Sequence, residues 1–239
     1  SLDLQNKSAE LLKNTLEEKK LDYGVVIVSN PQNGKILSLV SLPDFDLNIM
    51  QKSKTEIENL FKDPKNPMLN RAISGLYPSG SAIKPVIASA ALQEKVVSPN
   101  LVVDTPPQIE VGESVFPDWK DHGPTDIKRA IAESNNIFFY ALGGGWKNIS
   151  GLGVDRIDRY LSSFGFGAKS KIDLTGEKEG LVPTPQWKKN IKKEKWYIGD
   201  TYHLSIGQGD LLITPIQLAN SVNAIASNGI LYEPRLADR

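Results

Sequence analysis

A serine and a lysine stand three residues apart in Ser81-Ala82-Ile83-Lys84. That spacing suits covalent catalysis. On a helix, positions i and i+3 share a face, so the lysine amine can reach the serine hydroxyl. A serine is a poor nucleophile until a base takes its proton, and a neutral lysine is such a base. The amine must first lose its own proton, so burial or neighbouring cations have to depress its pKa. A helix start would add backbone N–H groups able to stabilise an oxyanion. The flanking residues predict such a start. Pro78 and Gly80 mark a turn, and Ile83 with Pro85-Val86-Ile87-Ala88-Ser89-Ala90-Ala91-Leu92 begins an apolar helix. Pro85 fits only if the helix begins at about Ser81, where its missing donor falls among the unpaired first-turn groups. Ser-x-x-Lys fixes two residues only, and most matches in unrelated chains carry no chemistry. Here it is the single such pattern, and it sits at a turn-to-helix junction.

A serine–lysine site also needs a proton relay and an amide to orient the substrate. Ser134-Asn135-Asn136 offers a hydroxyl and a carboxamide two residues apart. Ser-x-Asn recurs at Ser98-Pro99-Asn100 and Ser221-Val222-Asn223. Only at Ser134 does the polar cluster run into an aromatic block, Ile137-Phe138-Phe139-Tyr140. An ordinary helix cap explains the same residues equally well, and more simply.

The elements around these residues read as α+β. Residues 2–20 predict an amphipathic helix with Leu4, Leu11, Leu12 and Leu16 on its apolar side. Residues 23–28 and 35–40 predict a β-hairpin turning at Asn33-Gly34. The polar stretch 51–65 predicts a helix followed by a loop, and 99–121 an excursion with little regular structure. Residues 125–140, 155–164 and 214–227 predict helices, the last with Pro215 in its first turn and Asn228-Gly229 as its stop. Gly143-Gly144-Gly145 reads as a helix stop instead of a phosphate cradle.

Composition narrows the function classes. Across 239 residues, 28 Lys and Arg balance 28 Asp and Glu, leaving no net field for nucleic acid or acidic membrane. There is no cysteine, which excludes disulfides and thiolate metal sites and fits an exported domain. Asp104, Asp118, Asp121 and His122 lie close in sequence, but their irregular spacing favours a solvated loop over zinc. His203 reads as packed or hydrogen-bonded. Lys188, Lys189, Lys192, Lys193 and Lys195 read as a solvated loop. No apolar run reaches membrane-spanning length. The sequence starts at Ser1 without a methionine, so any membrane anchor is expected upstream.

Taken in order, these pieces resemble the transpeptidase domain of a class B penicillin-binding protein, of the elongation type often called penicillin-binding protein 2. Residues 28–37 are similar to the family's opening hairpin, and 43–48 follow as expected. Ser81-x-x-Lys84 and Ser134-x-Asn136 come next. Asp173-Leu174-Thr175-Gly176-Glu177 resembles a family marker. Trp196-Tyr197-Ile198-Gly199-Asp200, Ser205-Ile206-Gly207-Gln208-Gly209 and 214–219 fit the elongation type.

The resemblance implies the penicillin-binding protein and serine β-lactamase-like fold, a helical subdomain plus part of an antiparallel sheet. It implies that Ser81 attacks D-Ala-D-Ala stem peptides or a β-lactam, with Lys84 as general base. Ser134 would relay the proton, Asn136 would bind the substrate amide and help position Lys84, and the Ser81 N–H would supply half of the oxyanion hole. It implies no cofactor and no metal. The partners expected are peptidoglycan stem peptides, β-lactams and a membrane polymerase of the elongation machinery, with no nucleic acid. The location expected is the extracytoplasmic face of the bacterial membrane.

One departure stands out. The family's third motif is a Lys-Thr-Gly type triplet, and no Lys/Arg/His-Ser/Thr-Gly occurs here. Residues 1–239 are therefore expected to be the earlier part of one transpeptidase domain, with further strands beyond Arg239. Ser79, where the family more often has proline, is a lesser departure. Competing readings are a β-lactamase or β-lactam sensor on the same scaffold, and a non-catalytic scaffold that regulates a membrane polymerase.

Overall fold

A computed structural model describes residues 2–51 and 54–237. In chain order these form α1 (Leu2–Lys19), β1 (Gly24–Ser29), β2 (Ile36–Leu42), a 3-10 helix (Leu47–Gln51), α2 (Lys54–Lys62) and α3 (Arg71–Ser74). A second 3-10 helix (Gly80–Ile83) leads into α4 (Lys84–Gln93). Four short strands follow: β3 (Val103–Thr105), β4 (Gln108–Val111), β5 (Ser114–Pro117) and β6 (Gly123–Thr125). The rest is helical: α5 (Ile127–Ala132), α6 (Asn136–Gly144), α7 (Val154–Ser163), α8 (Pro185–Ile191), α9 (Ile198–Ser205) and α10 (Pro215–Ala226). Two compact units result. One comprises residues 1–77, 168–180 and 213–239, the other 78–167 and 181–212.

In the first unit, β1 and β2 pair antiparallel from Gly24 opposite Leu42 to Ser29 opposite Ile36. The predicted hairpin is there, but Asn33-Gly34 is not a two-residue turn. The Asn30 carbonyl accepts from Gly34 N–H at 2.9 Å, and Gly34 takes φ +73°, so the loop spans Asn30 to Lys35. Pro31 enforces the longer loop, because it has no N–H to give the ladder. The core joins Ile36, Ala72, Ile73, Ile172 and Ile216, with Val25, Ile27, Leu39 and Leu174 packed against it. α1 covers the hairpin through half-buried Leu4, Leu12 and Leu16 and buried Ser8, a stripe with a spacing of four. Leu11 falls off that stripe and is 53% exposed, contrary to its expected place on the apolar side. α10 begins as predicted: Thr214 Oγ1 accepts from Gln217 N–H, and Gln217 Oε1 accepts from Thr214 N–H at 2.9 Å. Residues 52 and 53, inside the stretch 51–65 predicted as a helix followed by a loop, lie outside the described residues.

The second unit is mainly helical. Its core is α4 against α6 and α7, with α9 lying along α6. Ile83, Ile87, Ile137, Phe138, Phe139, Leu142, Ile157 and Leu161 are fully buried in it. Gly143 and Gly144 allow the close α6–α9 approach. A Cβ on Gly143 would meet the Ser205 side chain at 2.6 Å, and one on Gly144 would meet the Tyr202 ring at 2.5 Å. Gly145, φ +88°, caps the helix as predicted.

Two expectations are corrected in this unit. The 99–121 stretch is not irregular: β3 pairs with β6 and β4 with β5, all antiparallel. These strands are three or four residues long and are interrupted by Pro106, Pro107 and Gly112, too short to show a period of two. Residues 125–140 are not one helix. α5 stops at Ala132, Ser134 takes φ +53°, and α6 restarts at Asn136.

Candidate active site

Ser81 lies in the 3-10 turn Gly80–Ile83, which runs directly into α4. Its carbonyl accepts the Lys84 N–H, so serine and lysine are one helical turn apart. Pro85 occupies the first turn of α4, where its absent donor costs no hydrogen bond. Ser81 itself is exposed, whereas Lys84 is 2% exposed.

The turn is fixed by 205–209. Gly80 N–H donates to the Gly207 carbonyl at 2.9 Å. Gly207 has φ +73°, and a Cβ there would overlap the Gly80 carbonyl and the Ser79 hydroxyl. Only glycine meets both conditions. Ser205-Ile206-Gly207-Gln208-Gly209 thus acts as a brace for the turn that carries Ser81.

The buried Lys84 amine points at the break between α5 and α6. It donates to the Ser134 carbonyl at 2.8 Å, to Asn136 Oδ1 at 2.8 Å and to Ser134 Oγ at 3.2 Å. The Phe139 ring lies 5.3 Å from it. Burial lowers the Lys84 pKa to about 8, and the Asp118 carboxylate partly opposes that shift. Left-handed backbone at a non-glycine residue costs about 1–3 kcal/mol and concentrates at functional sites. At Ser134 it turns carbonyl and hydroxyl alike toward one amine.

The polar groups of Ser134-Asn135-Asn136 divide between two tasks, capping α6 and holding the Lys84 amine. Asn135 is fully buried and caps α6: its Oδ1 accepts from Phe138 N–H at 2.7 Å, and its Nδ2 donates to Thr105 Oγ1 at 2.7 Å. With Asn135 tied inward, Ser134 and Asn136 face the lysine.

Sequence reasoning missed the residues behind this break. Asp118 and His122 are not in a solvated loop, since neither side chain is exposed to solvent. Asp118 Oδ2 accepts from Asn136 N–H at 2.6 Å and from Ile137 N–H at 3.2 Å. His122 Nδ1 lies 2.7 Å from Glu133 Oε2, and its Nε2 lies 3.5 Å from Asp118 Oδ2. Glu133 also accepts from Arg129 at 2.8 Å and pairs with Lys120 at 2.9 Å, and these partners lower its pKa to about 2. The signal in the sequence was only the closeness of Asp118, Asp121 and His122, and nothing in it pointed to the start of α6. Among the described residues, no group of three or more acidic or histidine side chains is placed to hold a metal ion.

Within the lysine run Lys188 departs from the expected solvated loop, whereas Lys189, Lys192, Lys193 and Lys195 are exposed. Lys188 lies on α8, is 6% exposed, and donates to both Asp200 oxygens at 2.8 Å. Asp200 also accepts from Tyr197 N–H at 2.7 Å, which caps α9. His203 is exposed, with its ring 5.8 Å from that of Phe116.

An exposed serine at a helix start and, one turn on, a buried lysine held by a serine and an asparagine make up the candidate site. The chain belongs to the penicillin-binding protein transpeptidase domain family, whose model matches residues 24–239. Within that family it is similar to the class B, PBP2/MrdA type. Peptidoglycan D,D-transpeptidase MrdA of Salmonella typhimurium is 37% identical over 217 residues, 88% of this chain and 34% of the relative. The fold agrees. The structure of Pseudomonas aeruginosa PBP2 in complex with WCK 5153 matches with TM-score 0.84 and 34% identity, over 90% of this chain and 47% of that one. PBP2 of Helicobacter pylori, in its complex with MreC, matches with TM-score 0.84 and 34% identity, over 95% and 42%. The chain spans about a third of the length of the curated relatives it matches. Among the described residues, no helix is long and apolar enough to cross a membrane.

Proposed function

We propose that this chain is the acylating part of a peptidoglycan D,D-transpeptidase, with both compact units belonging to one transpeptidase domain. Ser81 Oγ attacks the carbonyl of the penultimate D-Ala of a stem peptide and gives its proton to neutral Lys84. The oxyanion is stabilised by the Ser81 N–H in the first helical turn. Collapse breaks the C–N bond, and the proton passes through Ser134 to the departing D-Ala amine. An amine of a neighbouring strand then attacks the ester and releases Ser81, closing the cross-link. Asn136 holds the substrate amide and the Lys84 amine together. A β-lactam enters by the same first step, and its opened ring remains on Ser81.

The observation that carries this reading is the Lys84 amine, buried, with its pKa lowered to about 8 and directed at Ser134 and Asn136. A general base working near neutral pH requires a lowered pKa, and burial supplies it here. The membrane polymerase of the elongation machinery and stem peptides on the extracytoplasmic face are the partners and setting that follow.

Intact-protein mass after incubation with a penicillin tests the reading. The expected result is a gain of one drug molecule, absent in Ser81→Ala. A long-lived adduct supports transpeptidase chemistry, and rapid loss with drug hydrolysis would favour a β-lactamase. An adduct that persists in Ser81→Ala, or none in the parent chain, overturns the assignment of Ser81.

A further inference from the structure

Three consecutive N–H groups open α6, and all three are met by side chains outside the helix. Asn135 takes Phe138, and Asp118 takes Asn136 and Ile137 on a single oxygen. The other Asp118 oxygen accepts from Trp119 N–H at 2.8 Å. Asp118 thus holds the residue whose carboxamide holds Lys84, from the end of β5, with no substrate-facing surface of its own. The same segment is tied at its other end. Glu133, adjacent to Ser134, meets His122 Nδ1 at 2.7 Å, and His122 Nε2 lies 3.5 Å from Asp118 Oδ2 without a hydrogen bond to it. A carboxylate at a helix N-terminus is favoured by the helix dipole, and burial makes both its charge and its geometry count for more.

We infer that Asp118 is a positioning residue for the acylation site, clamping the Ser134–Asn136 segment against Lys84 and setting the electrostatic field at the lysine amine. A neutral cap could meet the same N–H groups. The charge has a separate effect: it favours the ammonium form, so it sets how basic Lys84 is when it takes the Ser81 proton. Charged and titratable groups that interact with Asp118 are Lys84, His122 and Tyr140, whose pKa burial and then Asp118 raise to about 12. Glu133, with Arg129 and Lys120, faces His122 from the opposite side. Of these groups, Asp118 is the one that couples directly to both Asn136 and Lys84.

The inference rests on the Ser81–Lys84 reading, but its test does not require turnover. Lysine side-chain NMR, assigned with Lys84→Arg, gives the Lys84 titration midpoint in the parent chain and in Asp118→Asn, Asp118→Ser and Asp118→Glu. The two uncharged caps should lower the midpoint by about one unit, the low end of what one opposite charge does at close range. Asp118→Glu should restore it. Penicillin acylation followed against pH should show the same downward displacement in the uncharged variants. A parent midpoint in whichever uncharged variant folds would overturn the field role, whatever the loss of thermal stability. An equal drop in Asp118→Glu would overturn it too, since the charge would then not be the cause. Failure of the parent to acylate would count against the function proposed above and leave the NMR result to decide this one.

Discussion

The sharpest consequence of the site is the pH dependence of acylation. In the proposed function the base is neutral Lys84, whose pKa burial lowers to about 8 from an ordinary 10.5. With that midpoint the neutral fraction is about 1% at pH 6, about 9% at pH 7 and about 50% at pH 8. An exposed lysine would be neutral to only about 0.03% at pH 7, so burial supplies roughly 300-fold more base. The sign is unambiguous: a lysine whose pKa is lowered becomes an acceptor as pH rises through the lowered value. The second-order rate constant for acylation by a fluorescent penicillin should therefore rise about tenfold from pH 6 to 7 and about fivefold from 7 to 8, then level off near 9. Stopped-flow fluorescence over pH 5.5–9.5, with Ser81→Ala as the blank, measures it. A flat profile between pH 6 and 9 would refute the argument, because the reacting form would not then be neutral Lys84. A midpoint near 10.5 would refute the claim that the pocket tunes it.

Two further predictions concern the supports of the site. Gly207→Ala should cost about 1–3 kcal/mol, from left-handed strain and overlap with the Gly80 carbonyl, and should slow acylation by displacing the Ser81 turn. Thermal melts and acylation rates read the two effects separately. Glu133→Gln should lower the melting temperature at pH 7, and the gap to the parent should close as pH falls. The Glu133 pKa is depressed from 4.5 to about 2, so its contribution is present above 4.5 and lost as pH drops through about 2. A gap that persists at pH 2 would mean the charge is not what stabilises.

What could be read from the sequence, and what could not, divides along physical lines. The hairpin, α1, α7 and α10 announce themselves because period, turn residues and caps are local properties of a few neighbours. Ser81 and Lys84 are legible for the same reason: both lie in one helical turn, and Pro85 marks where it starts. Asp118 is not legible as a helix cap, because it precedes α6 by 18 residues and nothing in the intervening chain encodes its return. The β3–β6 and β4–β5 pairs fail for want of length. The 125–140 stretch fails because helix propensity continues across a position where only tertiary contacts impose φ +53°.

That break is where fold and chemistry become the same problem. An unbroken helix would have sent the carbonyls of 133–136 along its own axis, leaving none to receive the Lys84 amine. Breaking it frees the Ser134 carbonyl and the three N–H groups that start α6. The carbonyl goes to Lys84, while the N–H groups go to Asn135 and Asp118. The unpaired groups that make an interrupted helix costly are here the groups that seat a buried amine. α9 ties the arrangement together from below. It packs on α6 through Gly143 and Gly144, and the turn that ends it braces Gly80 through Gly207. The turn that carries Ser81 and the helix that begins at Asn136 thus both rest on α9, whose own start is pinned by Asp200 and the buried Lys188. A change at Asp200 would accordingly act on Ser81 and Asn136 together, without touching either.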